Sequence, residues 1–264
     1  MFTLFHYDFI IRGLEVGFLI GAVAPLIGIF LVLRRYAIIA DTLSHVSLAG
    51  VALGLLFTIN PLLTAIAAAV LSSIAIERLR LSKKVYGDSA LSIFLSGSLA
   101  LAVVLISLAH GSSVDIFNYL FGSIVTVSAG DVYLIFGLGV VVILAIIAFY
   151  KELVFITFDE ETAQVSGIPT RFINILLIVL AAFTVALSIP IVGILLISAL
   201  IVIPVVSALQ LKKGFLGTII YSEIFSIFSV LAGIVLSFYL NIPAGGAIVL
   251  LALLIFIGCL LYKK

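Results

Sequence analysis

The sequence predicts an all-α integral membrane protein, a bundle of eight to nine transmembrane helices, and three observations carry that class. Hydrophobic residues make up 65% of the 264-residue chain and charged ones only 9%, against roughly half and a quarter in soluble domains. Mean hydropathy is +1.49. Apolar runs of about 20 residues recur, the length at which a helix rising about 1.5 Å per residue crosses a hydrocarbon core of about 30 Å. The short alternating segments of a membrane β-barrel are absent. A net charge of +1, with basic residues scattered in ones and twos, excludes a nucleic-acid partner. One cysteine, Cys259, excludes an intrachain disulfide and a cysteine metal cage, and reads as a small apolar filler.

The spans follow in order. The N-terminal "MFTLFHYDFIIR" lacks the basic region and cleavage site of a secretory signal, so the mature chain is expected to begin near Met1. A first span covers about residues 13 to 33. Two more lie between Tyr36 and Ile76, separated by "INP" at 59 to 61, and two between Tyr86 and Tyr150, separated by "HGSSVDIFN". Residues 172 to 211 carry no charge, enough for two spans if "SIPIVG" (188 to 193) breaks the helix or forms a re-entrant segment. "NIPAGG" separates the last two spans.

Each pair begins and ends at basic residues, which gathers Arg34, Arg35, Arg78, Arg80, Lys83, Lys84, Lys151, Arg171, Lys212, Lys213, Lys263 and Lys264 on one side and leaves Arg12 on the other. By the positive-inside rule that side is cytoplasmic, with the N-terminus outside and the C-terminus cytoplasmic. Gly13, Gly17 and Gly21, and again Gly50 and Gly54, have the spacing that allows close helix approach, read here as packing within the chain in preference to a dimer seam.

Three ionisable residues remain at membrane depth: Asp41, His45 and Glu223. His45 lies ten residues beyond Arg35 and Glu223 ten beyond Lys213, each about 15 Å into the membrane. An Asp at the centre of a span costs about 2.5 to 3.5 kcal/mol on insertion scales, so something must compensate it. Asp41 and His45 share a helix face with Ser44 beside them, and Glu223 is flanked by Ser222, Ser226 and Ser229. Two carboxylates and an imidazole suit a divalent first-row metal such as zinc, manganese or ferrous iron. A proton relay, or a structural Asp–His pair with Glu223 bonded elsewhere, remains open. Glu15 is expected to pair with Arg12 one turn away, and His110, Asp115 and Asp131 read as solvated residues in or beside an outer loop.

"TFDEETAQVSGIPTR" (157 to 171) is the longest polar stretch between spans. Thr157 and Glu160 have capping-box spacing and Gly167 with Pro169 would end the helix, which predicts a short cytoplasmic helix over 157–170. No Walker-type G-x-x-x-x-G-K-[ST] loop occurs, so any ATP energy must come from another subunit.

The blocks "RRYAIIADTLSHVSLAGVALG" (34 to 54), "LFGSIVTVSAGDV" (120 to 132), "FDEETAQVSGIP" (158 to 169), "SIPIVGILLISALIVIP" (188 to 204) and "IPAGGAIVLLALL" (242 to 254) resemble the permease subunits of zinc, manganese and iron importers of the ATP-binding-cassette class. More distantly the chain is similar to vitamin B12 and siderophore permeases. The resemblance implies a single transmembrane permease domain over residues 1–264 that pairs with a second copy of itself, a cytoplasmic ATPase and an extracytoplasmic metal-binding protein. The chain would be no enzyme and would bind no cofactor of its own. It implies that Asp41, His45 and Glu223 line or gate the metal path, and that Asp159, Glu160, Glu161, Ala163 and Gly167 belong to the segment that seats in the ATPase. A proton-coupled secondary transporter or channel for metal ions is the alternative, and an intramembrane hydrolase is a distant third, since no nucleophile–base spacing supports it.

Overall fold

Helix boundaries follow the punctuation in the sequence. The structure, a computed structural model, describes residues 8–82, 87–108 and 113–262. Lys83, Lys84, His110, Lys263, Lys264 and the N-terminal residues 1–7 lie outside the described residues, as does the side chain of Asp115. The elements are α1 (Asp8–Leu33), α2 (Ala37–Phe57), α3 (Pro61–Leu81), α4 (Gly87–Leu108), α5 (Ser113–Phe121), a 3-10 turn (Ile124–Thr126), α6 (Ala129–Ala148), α7 (Tyr150–Phe158), α8 (Glu160–Val165), α9 (Thr170–Val192), α10 (Ile197–Gln210), α11 (Gly214–Leu240) and α12 (Ala244–Tyr262). No strand occurs among the described residues.

Among the described residues, eight helices are long and apolar enough to cross a membrane: α1, α2, α3, α4, α6, α9, α11 and α12. The "INP" turn works through Asn60, whose side-chain oxygen accepts from the Leu62 and Leu63 N–H groups, with Pro61 opening α3 where its missing N–H costs nothing. Asp131 is more than a solvated loop residue. It accepts from the Ser128 N–H while Ser128 Oγ accepts from the Asp131 N–H, a capping box that starts α6.

The break expected within residues 188 to 193 falls at the last of them. α9 runs on through Pro190 to Val192, because a proline in the last turn forfeits only one helical bond. The chain turns at Gly193, whose φ of 85° belongs to glycine. Gly193 and Ile194 are buried, and the N–H groups that follow the glycine are satisfied: Ile194 N donates to Tyr119 O and Leu195 N to Leu120 O, so α5 closes the opening. α10, with 14 residues, is about 21 Å long and too short to span alone. Among the described residues, eight full-length spans and one short helix therefore make up the bundle, the lower figure of the expected eight to nine.

Around the axis, α1 packs against α6, α9, α10 and α11, while α2 packs against α3, α4, α9 and α10. α1, α2 and α9 form the buried centre; α4 and α6 show most of their surface outward. Gly13, Gly17 and Gly21 meet Ile124, Ile234 and Ile227, and Gly50 and Gly54 meet α3, so both small-residue series serve packing within the chain. At Gly28 the α1 backbone comes so near the Ile201 carbonyl of α10 that a Cβ would collide with it. Arg12 is not paired with Glu15. Its guanidinium donates to the carbonyls of Asp8 and Val127, tying α1 to the loop before α6.

The helix succession puts Arg34, Arg35, Arg78, Arg80, Lys151, Arg171, Lys212 and Lys213 at one end of the bundle, opposite Arg12. Aromatic rings gather at this basic end around Phe215, with centroids 6.1 Å from Phe30, 6.3 Å from Tyr150 and 5.7 Å from Phe158.

Candidate functional site

On α2, Ile38, Asp41 and His45 recur at i, i+3 and i+7 and form a stripe that is less buried than its flanks. The Asp41 side chain is 45% exposed and His45 16%. His45 Nε2 stands 3.9 Å from Asp41 Oδ1, too far for a hydrogen bond. Two ligand atoms about 2.1 Å from one tetrahedral ion stand roughly 3.4 Å apart, so a small rotamer change would let the pair share a cation. His45 Nδ1 is buried with no hydrogen-bond partner. Ser44 is not available as a ligand in this conformation, since its hydroxyl donates to the Asp41 carbonyl.

Glu223 sits on α11 with Oε1 buried and unpartnered, as is Ser226 Oγ one turn on. Ser222 and Ser229 donate to Ile219 O and Phe225 O within the helix. His45 is eight residues into α2 and Glu223 nine into α11, depths of about 12 and 14 Å from the basic end. α10 packs against both helices. Counted along their helices the two lie at similar depths, but no three His, Cys, Asp or Glu side chains among the described residues converge on a point where one ion could be held. Within one chain, the α2 pair and the α11 carboxylate are separate polar stations.

The 157–170 segment is built differently from its expected form. Thr157 lies inside α7 and its hydroxyl donates to Leu153 O, so it caps nothing. The cap is Asp159, which leaves the helical conformation at φ −154° and accepts from Thr162 N at 2.9 Å and Thr162 Oγ1 at 2.5 Å. Those bonds to Thr162 hold the Asp159 carboxyl below its usual range. Gly167, at φ 87°, ends the segment as expected. Ala163 is fully buried, and the half-exposed Glu160 is bonded to other residues of the chain. Of the five residues assigned to this surface, Glu161 alone is both exposed and uncommitted to building it. Val165 beside it, 89% exposed, is an apolar contact point that residue type gave no reason to single out.

The basic end also holds a polar cluster that sequence reasoning missed. Arg34 Nη2 donates to Glu160 Oε2 at 2.6 Å, Arg34 Nη1 to Asn174 Oδ1 at 2.7 Å, and Asn174 Nδ2 to Glu160 Oε1 at 2.7 Å. Beside it, Glu77 is fully buried and accepts from Arg80 at 3.0 Å. The Tyr36 ring lies under both Arg34 and Arg80, at 5.0 and 4.4 Å. The i, i+3 spacing of Glu77 and Arg80 was a visible signal. Asn174 offered none.

With this geometry established, comparison with known proteins decides the family. The model of the ABC 3 transport family matches residues 6–263. The chain belongs to that family. It is 39% identical over 250 residues to the "Probable metal transport system membrane protein" of Treponema pallidum, covering 95% of this chain and 94% of that one. It is 32% identical to the manganese transport system membrane protein MntC of Halalkalibacterium halodurans over 96% and 87% of the two chains. To the high-affinity zinc uptake system membrane protein ZnuB of Haemophilus influenzae it is 31% identical over 98% and 99%. Among solved structures, PsaBC from Streptococcus pneumoniae superposes with a TM-score of 0.87 at 31% identity, over 97% and 92%. An inward-facing ABC transporter described as of metal-chelate type shares the fold, with a TM-score of 0.72 at 18% identity, over 97% and 86%. The ABC 3 chain is thus a multi-pass protein of the cell membrane.

Proposed function

We propose that this chain is the membrane-spanning subunit of an ATP-driven importer of a divalent transition metal ion. The ion would pass Asp41, His45 and Glu223, and ATP would be hydrolysed by a separate subunit seated on the 157–170 segment. The observation that carries the reading is the pair of buried, unpartnered polar atoms, His45 Nδ1 and Glu223 Oε1, at one depth on two helices of a family whose relatives are named for metal transport. A buried polar atom without a partner is disfavoured by folding and suits a site that a passing ligand completes.

Residues 1–264 act as a single permease domain in this reading, with the basic end cytoplasmic in keeping with the positive-inside rule. The outward stripe of Asp41 and His45 favours a second copy of the chain over lipid as its neighbour, because a carboxylate facing hydrocarbon is costly. The path then runs between copies, and an extracytoplasmic metal-binding protein delivers the ion at the end opposite Arg34. Zinc, manganese and ferrous iron all suit the ligand types, and the named relatives divide between manganese and zinc.

The test is Asp41→Ala, His45→Ala and Glu223→Ala together in a host that depends on the importer. Metal-limited growth should be abolished at unchanged protein level; normal growth would contradict the path. Uptake by the isolated chain in liposomes without ATP would point to the proton-coupled or channel alternative.

A further inference from the structure

Glu160 sits on the segment that would seat in the ATPase, and although its side chain is 41% exposed, both of its oxygens are bonded to partners within the chain. Oε2 accepts from Arg34 and Oε1 from Asn174, and Arg34 also donates to Asn174, so the three side chains close a triangle. All three bonds are charge-assisted: the two to the Glu160 carboxylate hold α8 to the end of α1 and the second turn of α9, and the Arg34–Asn174 bond ties those two helices together. The Arg34 side chain is 5% exposed, so water competes poorly for it.

The joint that follows Arg34 is stiff. Tyr36 N donates to Leu31 O and Arg35 N to Val32 O, with Arg35 left-handed at φ 60°. This is a Schellman closure with arginine in the place glycine usually takes. α2 begins at Ala37 directly after it, and Tyr36 is clasped between Arg34 and Arg80. A displacement of Arg34 cannot be absorbed in a loose linker. It tilts the first turns of α2, which carry Asp41 and His45.

We propose that Glu160 is a positioning residue, and that the Arg34–Glu160–Asn174 triangle is the link through which movement of α8 reaches the α1–α2 junction and the Asp41–His45 pair. This rests on the reading of the chain as a permease driven by a separate ATPase. It separates two duties within one short helix: Glu161 and Val165 face outward, while Glu160 grips the chain's own helices.

The assembled importer, permease with its ATPase, is reconstituted in liposomes with manganese as the probe ion, and ATP hydrolysis and ion uptake are read together. Glu160→Ala should still co-purify with the ATPase and hydrolyse ATP, while ions moved per ATP fall about tenfold. The charge swap of Arg34→Glu with Glu160→Arg should restore the ratio to within about threefold, because the Asn174 amide can turn over to serve the reversed pair. An unchanged ratio in Glu160→Ala, loss of ATPase association in step with uptake, or a swap that folds yet stays uncoupled would each overturn the link. Absence of ATP-dependent uptake by the unsubstituted protein would overturn the importer reading, and this inference with it.

Discussion

The triangle of Arg34, Glu160 and Asn174 spends both carboxylate oxygens of Glu160 on partners within the chain, whereas His45 and Glu223 at mid-span each leave a buried polar atom without one. The triangle is closed and the mid-span groups are open, while Glu77 Oε2 and Arg80 Nη1 beside the triangle are also unpartnered. A closed cluster fixes elements against each other and contributes stability, since breaking it strands a charge away from water. An open one contributes little to stability and keeps its ligand atoms for something else. In the function we propose, the triangle serves transmission and the mid-span groups serve the ion.

Substitution can break this contrast. The largest expected effect is at the open stations: Asp41→Asn, His45→Gln or Glu223→Gln should cut metal uptake in liposomes by at least about tenfold. Each should leave thermal unfolding in detergent unchanged or raised, because no partner within the chain is lost. A fall in stability equal to that of a core truncation would show that the polar atoms are structural.

The closed cluster should behave in the opposite way. Arg34→Ala removes two hydrogen bonds and should destabilise the protein by roughly 2 to 3 kcal/mol, read as a lowered unfolding temperature. Phe215→Leu should come next, at about 1 kcal/mol, since it loses ring contacts with Phe30, Tyr150 and Phe158 but keeps much of the volume.

The smallest effect concerns pH. Asp159 is held below the usual carboxylate range by Thr162, so its cap contributes above the unfolded value of about 3.9 and is lost only as pH falls through the lower folded value. Amide exchange in α8 should therefore show no cap-dependent change between pH 5 and pH 8, two points chosen to lie above about 4. Asp159→Ala should raise exchange across that whole window.

The sequence made the helices legible because lipid imposes one rule on every span: length and apolarity suffice, and the basic residues mark the turns. It also exposed Asp41, His45 and Glu223, since a charge in an apolar run has no other background. Where it failed, the deciding partner was distant in the chain. Within the stretch 188 to 193 no local pattern singled out Gly193, where the carbonyls of Tyr119 and Leu120 receive the turn. Glu160 read as a surface acid until Arg34, 126 residues away, was found against it. Thr157 and Glu160 had capping spacing, yet the kink between α7 and α8 gave that role to Asp159. The separation of Glu223 from the α2 pair likewise depends on α10 packing against both helices, which no local pattern encodes.

Whether the mid-span groups hold the travelling ion can be read from manganese itself. Electron paramagnetic resonance of manganese titrated into the purified permease should show the free-ion signal suppressed by the unsubstituted protein and restored in full by the Asp41→Ala, His45→Ala, Glu223→Ala triple variant. Equal suppression by both proteins would contradict the account.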